Sequence, residues 1–365
     1  MEKDLVLEIG TEELPPSCIR DGVASFKALL EKNLASNRID FGEVSVFHSP
    51  RRIIAYIKDI SVLQKSEEKV VTGPPKNISI GPDGRPNQAA SGFAKSLGIS
   101  TSDLEDIEIK GKGIYLGKKI IQKGKNTAEI LPGILKDTIL SLTFKKQMYW
   151  GDHQTRFVRP IRWMLALFGS EVINLSIENV KSDRFTYGHR TLNTSPLRIE
   201  DASNYFQVLE KDGNAIADPQ KRSDMISSQI KKIERDRWKG KQRALIDEKL
   251  LEEVVDLIEI PNVLVGEFPS DFLYIPADIL IEAIQYHQKY FPVIDNNGKV
   301  TTDFLIVQNG ISDNGSINKG NERVLKARLS DAAFFYEQDR KHDFSYWEKK
   351  LEGVIFYFGI GSMSD

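Results

Sequence analysis

The first sixty residues alternate short apolar runs with one longer amphipathic stretch. The run at 5–9 predicts a buried strand that stops at Gly10-Thr11. Pro15-Pro16 suits the first turn of a helix, because the N–H that proline lacks is unpaired at that position. Apolar residues then follow at helical spacing, at Ile19, Val23, Phe26, Leu30 and Leu34. Two further predicted strands, at 44–47 and 53–57, complete a β-α-β-β unit.

From about residue 73 to residue 151 the pattern changes to short elements separated by chain breakers. Gly73-Pro74-Pro75 and the segment 81–84 supply the breakers. Short helices are predicted at 89–97 and 128–142, with a strand between them at 114–121. We interpret this region as an inserted subdomain. Sheet-like patterning resumes after it, with strands predicted at 163–168, 172–177 and 185–188.

Three helices are predicted next. The clearest is 247–258, where Asp247 is a suitable N-cap and the apolar residues form one stripe. A tight turn at Asn296-Asn297-Gly298 joins predicted strands at 290–294 and 304–307, because Asn and Gly accept positive φ.

Pro292 predicts an edge strand or a bulge in the first of these two strands. A long helix is predicted at 322–339. The elements together predict the fold class α/β, of the α+β kind, with a mixed sheet covered by helices.

Composition narrows the function classes. The 365 residues are 40% hydrophobic and 28% charged, which is typical of a globular protein with more than one folding unit. A net charge of −2 gives no global attraction to phosphate, so a nucleic-acid surface has to be a local patch. The single cysteine, Cys18, excludes an internal disulfide and multi-thiolate zinc sites. No signal peptide or membrane-length apolar run is evident, so the cytoplasm is the expected compartment and no membrane partner is expected.

A carboxylate cluster at Glu8, Glu12 and Glu13 stands at the first strand-to-helix turn, where catalytic acids often lie. Acidic residues are also favoured there by the helix dipole, and this interpretation is the stronger. The five histidines are scattered without metal-ligand spacing, so no metal site is predicted. No Walker-type phosphate-binding loop occurs, and Gly359-Ile360-Gly361 leaves no room for the helix that a nucleotide-binding loop requires. The sequence also has no Gly-x-Ser-x-Gly nucleophile elbow.

Short clusters that mix basic and aromatic residues remain. Arginine can pair with phosphate while a neighbouring ring stacks on an unpaired base, so the clusters favour RNA. Single arginines are just as often solvated or ion-paired, and Arg159 and Arg162 could equally pair with buried carboxylates. The candidate RNA contacts are Arg51, Arg52, Arg156, Arg159, Arg162, Arg184, His189, Arg190, His287, Lys289, Tyr290, Arg323 and Arg328.

Nine motifs in order resemble the glycyl-tRNA synthetase β-subunit family, up to about Gly353. The opening motif runs from Glu8 to Pro16 and the second is Ser49-Pro50-Arg51-Arg52. The others begin at Gly73, Ala89, Lys145, Phe157, Gly188, His287 and Gly320. Each motif alone is weak evidence, but nine in register are specific.

The resemblance implies an assembly of two α and two β subunits. The α subunit would hold the class II catalytic domain, with ATP and Mg²⁺, while β would bind glycine tRNA. This chain would then carry no cofactor and no catalytic residue, and would be inactive alone. The family's early β region is similar to the tRNA-editing domain of the phenylalanyl-tRNA synthetase β chain. The resemblance to this family implies that residues 1–60 and 151–317 form a core, that 61–150 is an insertion, and that 318–365 begins a helical HD-type domain.

Two departures from the family are noted. The family continues for several hundred residues beyond Asp365, so this chain is expected to be truncated and to lack the anticodon-binding module. A polar Gln-Glu-Lys run is usual after Val354-Ile355-Phe356, whereas Tyr357-Phe358-Gly359 stands here.

Three hypotheses follow. The chain is a non-catalytic subunit for tRNA binding and assembly, or a hydrolase that edits mischarged tRNA with Glu12, Glu13, His189 and His287, or a purely structural scaffold for the α subunit. Fold analogy is a poor guide to chemistry, so editing ranks below tRNA binding.

Overall fold

A computed structural model describes residues 1–81, 84–312, 315–357 and 361–363. The helices are α1 Pro16–Ser36, α2 Lys76–Ser79, α3 Gln88–Ser96, α4 Thr127–Leu140, α5 Tyr205–Lys211, α6 Pro219–Asp236, α7 Glu248–Asp256, α8 Ala277–Gln288, α9 Ser316–Asp339 and α10 Phe344–Leu351. The strands are β1 Glu2–Thr11, β2 Val44–Ser49, β3 Arg52–Ser61, β4 Glu67–Pro75, β5 Glu105–Ile109, β6 Gly113–Gln122, β7 Ile161–Phe168, β8 Glu171–Val172, β9 Ser176–Ile177, β10 Val180–Asp183, β11 Phe185–Tyr187, β12 Pro196–Arg198, β13 Gln242–Ala244, β14 Pro261–Glu267, β15 Phe291–Asp295, β16 Val300–Asn309, β17 Ile355–Tyr357 and β18 Gly361–Ser362.

The largest sheet has the order β2-β3-β1-β7-β10-β9, with β8 paired to β7. It is mixed, because β7 and β10 run parallel while the other pairs are antiparallel. Both faces of β1 are covered. Leu5, Leu7 and Ile9 pack against the buried faces of α1 and α4, and Val6 packs on the opposite side with α5. A strand that is buried on both faces has a continuous apolar sequence instead of an alternating one, which explains the pattern at 5–9.

A second sheet has the order β13-β15-β16-β14 and is antiparallel throughout. Helices α6 and α7 cover one face, and α8 and α9 cover the other. The predicted turn is confirmed, with Gly298 at φ 79. The pairing of β15 with β16 shifts register between Pro292 and Ile294, so the bulge predicted from Pro292 is confirmed. Because β15 lies between β13 and β16, Pro292 is not on an edge strand.

A third, smaller sheet has the order β4-β6-β5 and lies within the predicted insertion. Helix α3 packs closely on β4, since a Cβ at Gly73 would lie 2.4 Å from the Phe93 ring. Helix α4 also falls within 61–150, but its residues Leu131 and Leu135 belong to the core of the largest sheet. The domain boundaries proposed from the sequence therefore stay predictions.

Buried polar groups join the first two sheets. Arg222 on α6 donates hydrogen bonds from Nη1 to the carbonyl of His48 at 2.8 Å and from Nε to that of Val255 at 3.1 Å. Nη1 also donates to the carbonyls of Ile216 and Ala217. His48 Nε2 lies 2.8 Å from the Asp256 carboxylate. The hairpin β2–β3 is thereby tied to the end of α7.

The predicted mixed α/β class, with sheets covered by helices, is confirmed. The predicted strand at 172–177 is two short strands, because Leu175 donates its N–H to the Ser182 hydroxyl instead of a strand partner. The last long helix begins at Ser316, six residues before the predicted start. Two segments discussed from the sequence, the chain breakers at 81–84 and the divergent segment at 357–361, are described only in part. Residues 82, 83 and 358–360 lie outside the described residues. Among the helices of the described ranges, none combines the length and the hydropathy that a bilayer span requires.

Candidate nucleic-acid interface

A buried ion network lies beneath the ends of β1 and β3. Arg52 is 0% exposed, and its Nη1 donates to Glu8 Oε1 at 3.0 Å. Its Nη2 donates to Oε1 of Glu259 at 2.9 Å. Glu259 lies in the segment between α7 and β14. The hydroxyls of Thr186 and Ser49 donate to Glu8 and Glu259 respectively. A charge so far from water requires paired and hydrogen-bonded partners, and Arg52 has two.

The two carboxylates respond to this environment in opposite directions. Burial raises the pKa of Glu8, and the field of Arg52 offsets that only in part. Burial also acts on Glu259, but Arg52 and the Ser49 hydroxyl outweigh it and lower the pKa. Glu259 Oε1 accepts from Nε and Nη2 of Arg52, whereas Glu8 Oε2 has no hydrogen-bond partner among the described residues. Burial lowers the pKa of Arg52, but Glu259 and Glu8 more than offset this, so the guanidinium stays charged.

Three predicted tRNA contacts are interior residues. Arg52 belongs to the buried network, His189 is 3% exposed and Tyr290 is 6% exposed. The Tyr290 hydroxyl donates to Asn321 at 2.6 Å, and burial raises its pKa to about 12. We therefore correct the prediction that these three side chains face RNA, because a buried group engaged inside the protein presents no donor or ring to a strand.

A cationic cluster lies at the surface close to the network. Arg190 Nη2 lies 2.6 Å from Glu12 Oε2, and Arg162 Nε lies 3.4 Å from Glu12 Oε1. Arg159 Nε donates to the backbone carbonyl of Glu13 at 3.1 Å. Arg162 and Arg190 nevertheless keep 61% and 52% of their side chains exposed. The predicted pairing of Arg162 with a carboxylate is thus found, but at the surface rather than buried.

Half-buried Arg51 completes this cluster, with its guanidinium 5.4 Å from the Trp163 ring centre. The four guanidinium groups of Arg51, Arg159, Arg162 and Arg190 stand against the two carboxylates of Glu12 and Glu13, which leaves two net positive charges. A local cationic patch is therefore present on a chain that is nearly neutral overall.

A groove of about 700 Å³ lies directly beside the cluster. Trp163 forms part of its wall and stands 5.1 Å, edge to face, from the ring of Tyr187. Trp150 and His153 form a second such pair at 5.7 Å. Arg162 and Lys181 also line the groove and provide its positive charges. The motifs that begin at Lys145 and Phe157 contain the two tryptophans, and Tyr187 lies in the basic and aromatic cluster at 184–190. Lys181 was missed, because it stands alone on the short strand β10.

The remaining candidates do not line this groove. Arg156 stacks over Tyr149 at 5.2 Å, and Arg184 pairs with Glu200 at 3.4 Å. His287 and Lys289 stand at the end of α8, where Lys289 pairs with Glu253 at 2.9 Å. Arg323 and Arg328 are on α9. The structure thus brings together Arg51, Arg159, Arg162 and Arg190 from the predicted set.

Chemistry other than binding finds little support in the geometry. His189 Nδ1 accepts from the Thr191 backbone N–H on its own loop, and His287 contacts Tyr286 on α8. Neither histidine contacts the carboxylates of Glu12 and Glu13, which are engaged with arginines. Across the described ranges, no group of three or more His, Cys, Asp or Glu residues is arranged to hold a metal ion.

Fold and site define a mixed α/β protein with a cationic, ring-lined surface groove. The chain belongs to the family described as "Glycyl-tRNA synthetase beta subunit", whose sequence model matches residues 5–365. This match extends past Gly353, the point to which the motif resemblance reached.

Curated relatives agree with this assignment. The glycine–tRNA ligase beta subunit of Halothermothrix orenii is 40% identical over 366 residues, covering 100% of this chain and 52% of the relative. The protein of the same name from Bacillus subtilis is also 40% identical, over 366 residues covering 100% of this chain and 53% of the relative. That of Geobacter sulfurreducens is 36% identical over 363 residues, covering 99% and 52%. The chain spans about half the length of these relatives.

Proposed function

We propose that this chain is a tRNA-binding and assembly part of a glycine–tRNA ligase β subunit. In this proposal it supports the ATP-dependent attachment of glycine to its tRNA, which takes place on an α subunit that holds ATP and Mg²⁺. The chain alone is inactive, works in the cytoplasm, and assembles as two α with two β subunits. The names of its relatives support the reaction, and the cationic cluster beside the groove is the observation that supports tRNA binding.

The ion pairs in the cluster do not oppose this function. Exposed pairs such as Arg190 with Glu12 contribute only about 0–1 kcal/mol, so a phosphate can replace the carboxylate at small cost. Arginine forks match phosphate oxygens in the same bidentate way as carboxylate oxygens. With four guanidinium groups and two carboxylates, the cluster retains positive charge even if both glutamates stay in place.

The finer organisation is also part of the proposal. We propose that residues 1–60 and 151–317 form a core similar to the tRNA-editing domain of the phenylalanyl-tRNA synthetase β chain, with 61–150 inserted and 318–365 starting a helical HD-type domain. The two covered sheets and the separate β4-β6-β5 sheet support this division. The position of α4 argues against a cut at residue 150, because α4 packs in the main core.

The test is binding of glycine tRNA by the 365-residue chain at low and moderate salt. We compare the double variant Arg162→Ala, Arg190→Ala with the control Arg235→Ala, an exposed arginine on α6 that pairs with Asp236 at 2.7 Å. The double variant should bind tRNA more weakly. Its plot of log affinity against log salt concentration should be shallower, by the slope of about one phosphate contact for each arginine removed. The control should bind like wild type.

Each alternative hypothesis has its own outcome. If the folded wild-type chain binds no tRNA at low salt but still co-purifies with the α subunit, it is a scaffold. If it deacylates mischarged glycine tRNA, it is an editing hydrolase. The second outcome would also require a chemical role for Glu12 or Glu13, whose carboxylates are held by Arg162 and Arg190.

A further inference from the structure

We propose that the groove beside the cationic cluster binds one or two unpaired nucleotides of an RNA strand. We call it the β7–β10 groove, and define it by Trp150, His153, Arg162, Trp163, Lys181 and Tyr187. This inference deepens the proposed function and rests on it, since it names which part of an RNA the surface accepts. The volume of about 700 Å³ falls within the range of sites that enclose small organic ligands.

The groove offers ring faces, which duplex RNA does not use. Tyr187 is exposed and Trp150 is half-buried, so both present rings to the groove. Bases within a helix are already stacked on their neighbours, whereas an unpaired base is free to stack on an aromatic side chain. Stacking of this kind is insensitive to sequence, because every base has a π face.

Trp163 serves as a fixed wall rather than as a stacking partner. It is buried, and its ring lies over Gly10, where an added Cβ would come within 1.9 Å of the ring. Arg51 covers it from another side at 5.4 Å. Because Trp163 is held in this way, it supports the Tyr187 ring at 5.1 Å and keeps that ring at the groove.

The charged groups around the rings suit a sugar–phosphate backbone. Lys181 is exposed and, among the residues that the structure describes, has no ion-pair partner. Arg162 extends into the groove from the cationic cluster. Asp183 and Asn179 also line it, and can accept or donate hydrogen bonds at base edges. The lining of the groove thus combines rings with cations and polar groups, as in single-strand binding sites.

The experiment uses the full chain and a mixed-sequence RNA hexamer with 2-aminopurine at its centre, in single-stranded and duplex forms. Stacking on a protein ring quenches 2-aminopurine fluorescence. The variants are Trp150→Ala, Tyr187→Ala, Tyr187→Phe and Lys181→Ala, each checked for folding by circular dichroism. The control is Tyr286→Ala, which removes a ring that is 68% exposed on α8.

We expect the single-stranded hexamer to bind with quenching and the duplex to bind without it. Trp150→Ala and Tyr187→Ala should weaken hexamer binding about 10-fold to 100-fold and abolish the quenching. Tyr187→Phe should retain both, because the ring remains, and Lys181→Ala should weaken binding while leaving the quenching of bound hexamer intact. The control should match wild type.

Glycine tRNA is measured in parallel to separate the two proposals. If tRNA binds and responds to Arg162→Ala, Arg190→Ala, but the hexamer neither binds nor is quenched, the groove inference is overturned and the proposed function stands. The same holds if the hexamer binds but Trp150→Ala and Tyr187→Ala bind it as wild type does. If neither RNA binds to the folded chain, the proposed function fails and the groove inference fails with it.

Discussion

Removal of the Arg52 side chain is the most severe single change that the buried network predicts. Arg52→Ala would leave the carboxylates of Glu8 and Glu259 without their shared cation in a site where all three side chains are almost fully buried. Three hydrogen bonds from the guanidinium to these carboxylates would be lost, at 2.9 to 3.2 Å. Truncation of one partner of a buried ion pair typically costs about 3–5 kcal/mol.

The neighbouring residue supplies the control. Arg51 is half-buried and stacks on Trp163, so Arg51→Ala should cost only about 1 kcal/mol, mostly from the lost cation–π contact. The assay is urea unfolding followed by intrinsic fluorescence at neutral pH, read as the midpoint of the transition and its slope. We expect the midpoint of Arg52→Ala to fall well below that of Arg51→Ala, and Arg52→Lys to lie between them because it restores the charge but not the fork.

Equal midpoints for Arg51→Ala and Arg52→Ala would refute this reasoning. That result would mean that the two carboxylates tolerate the loss of the cation, by taking up a proton or water at little cost. Proton uptake can be recognised, because the stability of Arg52→Ala would then rise as the pH is lowered towards the pKa of the protonated carboxyl.

Three further predictions address the same region. The pKa of Glu259 is lowered in the folded state, so its contribution to stability is present above about pH 4.5 and is lost as the pH falls through the folded-state pKa. The pKa of Glu8 is raised in the folded state, so its contribution is present below about pH 4.5 and is lost as the pH rises through the folded-state pKa. In urea midpoints from about pH 7 to about pH 3.5, Glu259→Gln should therefore flatten the acid loss of stability and Glu8→Gln should steepen it; parallel curves would contradict this. Gly10→Ala places a Cβ 1.9 Å from the Trp163 ring and should destabilise by about 1–3 kcal/mol with a shift in fluorescence, and an unchanged spectrum and melting temperature would argue against that close contact. Arg222→Met removes four hydrogen bonds to backbone carbonyls and should cost about 3 kcal/mol or more in urea unfolding, which a wild-type midpoint would disprove.

Local patterns predicted most of the elements, because periodicity and capping are properties of neighbouring residues. The helix at 247–258 is an example, since the Asp247 side chain accepts from the Leu250 N–H as the N-cap interpretation requires. The turn at Gly298 is another. Where strand ends depend on partners far along the chain, as at Leu175 with Ser182, the sequence pattern gave one strand instead of two.

The site was predictable only in part. Arg51 and Arg52 are adjacent and chemically identical, yet one stacks at the surface and the other is buried. What separates them is Glu259, 207 positions later, and no local pattern connects the two. Lys181 is similar, since it reaches the groove through the parallel pairing of β10 with β7. Residue type identified the candidates, while long-range register decided which of them meet.

The sequence separation between Arg52 and Glu259 also delays the completion of the buried ion network during translation. Ribosomes add about 5–20 residues per second, so the 207 residues between them take roughly 10 to 40 s to make. During that interval β1, α1, β2 and β3 are already emerging, and Arg52 has only Glu8 as a carboxylate partner. The β2–β3 hairpin, which carries Arg51 and Arg52, therefore gains its second buried carboxylate only after the segment between α7 and β14 has been translated. Slow or interrupted translation in between would prolong the life of a nascent chain in which Arg52 lacks the two hydrogen bonds that it donates to Glu259.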